Sequence, residues 1–204
     1  MTSAATDGGL RERHKQSTRR SLEDAALRLF AEQGYDATTI EAVADAAGVS
    51  PRTFFRYFTA KDEVLDMGWQ QRREQLAELV DAVPDQDDDH AAAARVLVAM
   101  AESFEPERER VLLRARALRS SAALRGRNAD TTAAWEQTLA AGLARRRGLP
   151  EPDARARAVA AAYTAVWRTA LGDWLRSPRH SLPATVDQAF AHLGPGRGSA
   201  GPRT

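Results

Sequence analysis

Between Thr38 and Phe58, two short segments with helical apolar spacing are separated by only three residues, Gly48-Val49-Ser50, and that spacing constrains the chain more than anything else in it. In TTIEAVADAAG, Ile40, Val43, Ala44 and Ala47 form one face, Thr38 and Thr39 are N-cap candidates, and Gly48 ends the run. The second segment opens with Ser50 as cap and Pro51 at the first helical position, where its missing N–H costs nothing. It runs to about Phe58. Phe54 and Phe58 lie four apart and are expected in a core with Ile40 and Val43, which leaves Arg52, Thr53, Phe55, Arg56 and Tyr57 toward solvent or a ligand. Two short helices joined by a tight glycine turn read as a helix-turn-helix, whose second helix commonly enters the major groove of DNA.

The rest of the chain follows the same helical period. Leu22, Ala25, Ala26, Leu29 and Phe30 predict a first helix, with Gly34 as its stop. Lys61, Asp62 and Glu63 open a long fourth helix whose apolar positions, Val64 to Val83, reach toward Pro84. An acidic break, DQDDD, follows, and further helices are expected near 90–104, 106–119, 121–147, 153–176 and 183–193. No segment alternates with period two over the length of a strand, so the chain is expected to be all-α. With 204 residues it can hold a small domain fused to a larger one.

Composition narrows the chemistry. The chain has no Cys, which removes disulfides, thiolate nucleophiles and Cys-ligated zinc together. No run approaches the roughly 20 apolar residues of a membrane helix, and MTSAATDGGLRERHKQ has no apolar stretch after its basic residues, so a cytoplasmic protein is expected. Formal net charge is only +1, so affinity for nucleic acid must come from local patches. Three motifs are discarded. GRGSAG matches a dinucleotide pattern but has no strand before it and no helix after it. DQDDD lacks the Gly and closing Glu of a calcium loop and reads as a solvated linker. His14, His90, His180 and His192 show no paired-ligand spacing, and neither a metal nor a cofactor is expected.

The exposed residues after Ser50 suit a duplex. A thymine methyl suits Phe55, guanine O6 and N7 suit an arginine fork, and phosphate oxygens suit the Tyr57 hydroxyl and the Lys61 ammonium. A plain three-helix core with solvated cations explains Phe54 and Phe58 but not Phe55 beside Arg56. RERHKQSTRR, with five cations and one acid, reads either as a solvated tail or as an arm along the DNA backbone, with Arg19 or Arg20 in contact.

Residues 17–65, above all TTIEAVADAAGVSPRTFFRYFTAKDEVL, resemble the DNA-binding domain of the TetR family of transcriptional regulators. LFAEQGYDATT, the Gly-Val-Ser turn and YF followed by KDEVL carry the match. The resemblance implies that Thr39, Tyr57 and Lys61 touch phosphates and that Pro51, Arg52, Thr53 and Phe55 approach base edges; Ser50, Arg56 and Arg19 complete the expected contact set. Family members often have Tyr-Tyr-His-Phe where this chain has Phe55, Arg56, Tyr57 and Phe58, and SPRTFFRYF resembles a branch with regulators of acyl-CoA-like ligands.

The organisation then expected is a flexible basic arm over 1–16, a helix-turn-helix domain over 17–62, a helical ligand-binding and dimerisation domain over 63–193, and a disordered tail over 194–204. The family implies a homodimer through helices near 155–176 and 183–193, a palindromic double-stranded operator, and release by a small apolar or amphipathic effector. Trp135, Leu139 and Leu143 form one stripe and Ala162, Val166, Ala170 and Trp174 another, and such stripes are either pocket lining or plain core. Trp135, Leu139 and Trp167 are the ligand candidates. The arginines of ERERVLLRARALR and LARRRG read as a solvated face. An all-helical enzyme or interaction module that keeps the helix-turn-helix as a scaffold is the alternative, although no Ser/His/Asp or paired-carboxylate constellation stands out.

Overall fold

The computed structural model describes residues 4–66, 68–177 and 179–192. Among these there is no strand, and the α-helices are α1 (Ala4–Gln33), α2 (Ile40–Ala46), α3 (Pro51–Tyr57), α4 (Trp69–Asp81), α5 (Asp89–Phe104), α6 (Arg108–Ser120), α7 (Ala122–Arg146), α8 (Ala154–Arg176) and α9 (Leu182–Ala191). No helix among them is long and apolar enough to cross a membrane. The chain divides into two compact units: one takes in the chain up to Trp69 together with Glu109–Ala129, the other Gln70–Arg108 and the chain from Asp130 onward.

In the first unit, Leu22, Ala25, Ala26, Leu27 and Phe30 of α1 are buried with Val43 of α2, Phe54 of α3, Phe58, and Val64 and Leu65. Ala117 of α6 and Leu124 of α7 close the same core. The N-caps follow the residue types: Thr39 accepts from the Ala42 N–H and Ser50 from the Thr53 N–H. Gly48 lies at φ +70°, a left-handed turn that any Cβ would strain, and so α2 and α3 can be joined by so short a connection.

Two expectations about this unit are corrected. Residues 4–16 belong to α1 rather than to a flexible arm. Side chains along this helix bond one turn back, Gln16 to Glu12, Thr18 to the His14 carbonyl and Ser21 to the Ser17 carbonyl, and no proline interrupts it. The long helix expected from Lys61 is a 3-10 turn, Lys61–Asp66, followed by α4 only from Trp69, because Gly68 takes φ +73° and breaks the periodic run.

The second unit is built on α5, α8 and α9, with Val96, Leu97, Met100 and Phe104 buried on α5, Tyr163, Trp167 and Trp174 on α8, and Val186 and Phe190 on α9. The DQDDD segment, read as a solvated linker, is an ordered helix start. Asp88 caps α5 through the Ala91 N–H, which holds its carboxyl below the usual range, and Asp87 pairs with Arg95. Asp89 is buried, with Arg155 Nε 2.8 Å and Arg147 Nε 3.4 Å from its Oδ2. Arg146 donates to the carbonyls of Val83, Pro84 and Asp87. The arginines of LARRRG are therefore not a purely solvated face. Arg147 also pairs with Asp153 six residues on, but the other partners lie some 60 residues back, out of reach of any local pattern.

Candidate nucleic-acid interface

Helix α3 presents a chemically divided surface. Phe54 points inward and is fully buried, whereas Phe55 is 55% exposed and is the only large hydrophobic side chain so exposed among the described residues. Arg52 and Arg56 are exposed beside it, and Arg52 has no ion-pair partner among the described residues. The Phe55 ring meets Phe54 edge-on at 5.6 Å, so it stands against a rigid base rather than free in solvent. An exposed ring on the same short helix as two exposed arginines is costly in water and suits a surface with both apolar and anionic features.

Around this helix the polar groups are already oriented. Arg56 Nη2 donates to the Tyr57 hydroxyl at 3.3 Å, and its guanidinium lies 5.1 Å from the Tyr57 ring centroid. The Tyr57 oxygen thus accepts from Arg56 and keeps its own O–H to donate. Thr39 Oγ1 accepts from Ala42 N at 3.1 Å while the residue stays exposed, so its hydroxyl still has a proton to donate outward. Ser50 and Thr53 hydroxyls lie 3.0 Å apart and Ser50 Oγ accepts the Thr53 N–H at 3.2 Å, which commits both largely to the start of α3. Pro51 is half-buried at the first turn.

Two expected contacts have structural partners that the spacing did not reveal. Lys61 Nζ donates to the Tyr35 and Thr38 carbonyls, both at 2.7 Å, and sits 4.1 Å over the Tyr35 ring. It ties the α1–α2 turn to the 3-10 turn, with one N–H left over. Arg19 Nε donates to Glu23 Oε1 at 3.1 Å and its guanidinium stacks 5.0 Å over Phe58. Glu23 is buried, and its other oxygen accepts from Arg110 Nη2 at 2.7 Å, while Arg110 Nε pairs with Asp24 at 2.7 Å. Glu23, Tyr35 and Arg110 were missed. The i, i+4 spacing of Arg19 and Glu23 signals one link; the one to Arg110 spans 87 positions and has no local signal.

The ligand candidates belong to the second unit. Trp135, Leu139 and Trp167 are all buried. Phe104 lies between the two indoles, edge-on to Trp135 at 6.3 Å and to Trp167 at 5.5 Å, and the Arg72 guanidinium covers the Phe104 ring at 4.1 Å. The stripe is thus a packed aromatic cluster with one cation on it. GRGSAG and the expected 194–204 tail lie outside the described residues.

Against known proteins, the family model of bacterial regulatory proteins of the tetR family matches residues 22–66, and that of the MftR C-terminal domain matches residues 87–198, more than half of the chain. A Mycobacterium tuberculosis protein assigned as the mycofactocin biosynthesis transcriptional regulator MftR is 28% identical over 184 residues, which cover 90% of this chain and 93% of that one. The transcriptional regulator TcmR of Streptomyces glaucescens is 54% identical over 56 residues, 28% of this chain and 25% of its own. Thermus thermophilus FadR, a TetR family repressor solved in complex with lauroyl-CoA, shares the fold at TM-score 0.56 and 22% identity, covering 91% of this chain and 100% of its own. These relatives are regulators rather than enzymes, and the enzyme alternative falls. The first match takes in α2 and the divided surface of α3, the second takes in α5 to α9, and the chain belongs to the TetR family of bacterial transcriptional regulators, ligand-responsive proteins that bind DNA.

Proposed function

We propose that this chain is a cytoplasmic, homodimeric repressor that holds a palindromic operator with two copies of α3 and is released by an amphipathic effector of the acyl-CoA class. The observation that carries the DNA half is Phe55, exposed between Arg52 and Arg56. Arg52, Thr53, Phe55 and Pro51 meet base edges, with Arg52 on guanine and Phe55 on a thymine methyl. Thr39, Tyr57 with Arg56, Ser50 and Arg19 hold phosphates and set the register. Lys61 acts chiefly as a brace for the turn that ends at Thr39.

The dimer reading rests on α8. Ala158, Ala162, Ala165 and Thr169 are exposed at alternating four- and three-residue steps, a small-residue face on which a second copy packs closely. Two heads about one helical turn apart, ~34–36 Å, then match two half-sites. The effector reading draws on lauroyl-CoA in the similarly folded FadR and on the Phe104, Trp135 and Trp167 rings beside Arg72, which offer an acyl chain apolar surface and an anionic group a cation. The effector domain is the second unit, Gln70–Arg108 with the chain from Asp130, rather than the whole of 63–193, and Leu139 joins the two indoles as candidate lining.

The test starts from operator selection on the purified protein. Arg52→Ala should relax preference at particular base pairs by ~1–3 kcal/mol, while Tyr57→Phe weakens all duplexes alike. Equal loss of preference in both variants would remove the division between base and phosphate contacts. Acyl-CoAs, free fatty acids and hydrophobic cations are then titrated against the operator complex. A coupling of about 1–3 kcal/mol gives a 5- to 150-fold release. Release by another class alone refutes the acyl-CoA reading, and no binding by any class refutes the effector.

A further inference from the structure

Residues 110–129 contain six arginines, at 110, 114, 116, 119, 125 and 127, and no Asp or Glu. Three of them turn into the first unit. Arg110 holds Glu23 and Asp24, Arg127 pairs with Asp62 and Asp66, and Arg114 donates to the Leu65 carbonyl at 3.1 Å and covers the Trp69 ring at 4.7 Å. Burial pushes the Arg114 guanidinium down to about 10, still charged at neutral pH. The other three, Arg116, Arg119 and Arg125, are exposed and meet no carboxylate among the described residues. Folding leaves their charges unneutralised.

Two of the three stand at the corner between α6 and α7. Arg125 Nη1 donates to the Arg119 carbonyl at 3.2 Å, which fixes the two residues side by side. Next to Arg119, Ser120 Oγ accepts the Tyr35 N–H at 3.2 Å. The Tyr35 carbonyl in turn accepts from the Thr38 N–H at 3.3 Å and from Lys61 Nζ. The corner is therefore two hydrogen bonds from Thr38, and the next residue is the exposed N-cap Thr39. Asp36, in the same turn, is exposed and pairs with neither arginine among the described residues. A duplex carries one negative charge per ~1.7 Å of axis, so a backbone that passes Thr39 continues beside this corner, within the reach of a long flexible guanidinium side chain.

We propose that Arg119 and Arg125 form a second phosphate-binding patch, outside the helix-turn-helix, that grips the operator backbone flanking the start of α2. The inference rests on operator binding through α3 and adds to it a contact from a segment more than fifty residues downstream. The patch reads charge rather than sequence, so it strengthens specific and random duplexes alike.

Fluorescence anisotropy of the full-length protein on the selected operator and on a random duplex, between 50 and 200 mM salt, tests it. Arg119→Gln with Arg125→Gln should weaken both duplexes at low salt and flatten the slope of log affinity against log salt by about two units. Over that range the wild type then loses roughly tenfold more affinity than the variant. Arg119→Lys with Arg125→Lys keeps the wild-type slope. Arg116→Gln, which removes a single exposed charge one turn earlier on α6, also keeps it. An unchanged slope in the double glutamine variant, or a flattening of about one unit in Arg116→Gln, overturns the patch. A wild type that binds no duplex overturns the operator reading and the patch with it, whereas normal base preference with an unchanged variant slope overturns the patch alone.

Discussion

Lys61 spends two of its three N–H donors on backbone carbonyls, and this decides what its loss does. Hydrogen bonds to charged groups contribute about 1.5–3 kcal/mol, so Lys61→Ala should lower stability by ~1–3 kcal/mol and loosen the Thr39 cap, with the salt slope of DNA binding falling by less than one unit. Denaturant midpoints with salt titrations check it; full stability with a slope lower by one makes Lys61 a plain phosphate contact instead. Asp153 offers a pH test. It accepts from both terminal nitrogens of Arg147 and caps α8 through the Ala156 N–H, which together hold its carboxyl down to about 2. A depressed carboxylate stabilises the fold above its unfolded pKa near 4, and that contribution fades as pH falls toward 2. Asp153→Asn should therefore flatten the acid limb of stability between about pH 4 and 2 and be seen in urea midpoints; an unaltered limb refutes the link. At this scale the sequence was legible wherever the partner is local. Thr39, Ser50 and Pro51 sit at helix starts as their residue types predict, whereas the partners of Lys61 lie 23 and 26 positions away.

Helix α7 passes close to α4 at Gly142. A Cβ there would lie 2.5 Å from Val80 Cγ1 and 3.0 Å from its Cβ, too near for any side chain unless the backbones part. Gly142→Ala should cost about 1–3 kcal/mol by overpacking, and Val80→Ala in the same chain should recover part of it. Thermal and denaturant unfolding of the single and double variants measure both, and a neutral Gly142→Ala would show that the two helices slide apart freely. Helical periodicity placed α5 to α9 within a few residues, because a half-buried helix repeats its apolar face every turn whatever lies opposite. It overran at Lys61 to Val83. Val64 and Leu65 are buried like a helical face, but they sit in a 3-10 turn that Gly68 separates from α4, and apolar spacing alone does not distinguish the two. The Trp135 and Trp167 stripes were visible too, yet only the fold shows them meeting through Phe104.

For the molecule as a whole, the proposed dimer predicts that charge on the outer face of α8 separates the copies. Ala162→Glu with Ala165→Glu changes two exposed positions and should leave helix content intact while sedimentation shifts from dimer to monomer. A dimer that persists at micromolar concentration places the interface elsewhere. Operator affinity should fall with it, since a single head finds only a half-site. The first unit has its own lesson in chain order. Its core needs Ala117 and Leu124, and its buried Glu23 needs Arg110, so the reading head is complete only after residue 129 has joined the chain up to Trp69. On the ribosome, at ~5–20 residues per second, roughly 3–12 s separate the synthesis of Trp69 from that of Ala129. During that interval the nascent helix-turn-helix waits with one side of its apolar core open, and any graft of this head onto another regulator must carry the later segment with it or inherit that unfinished state permanently.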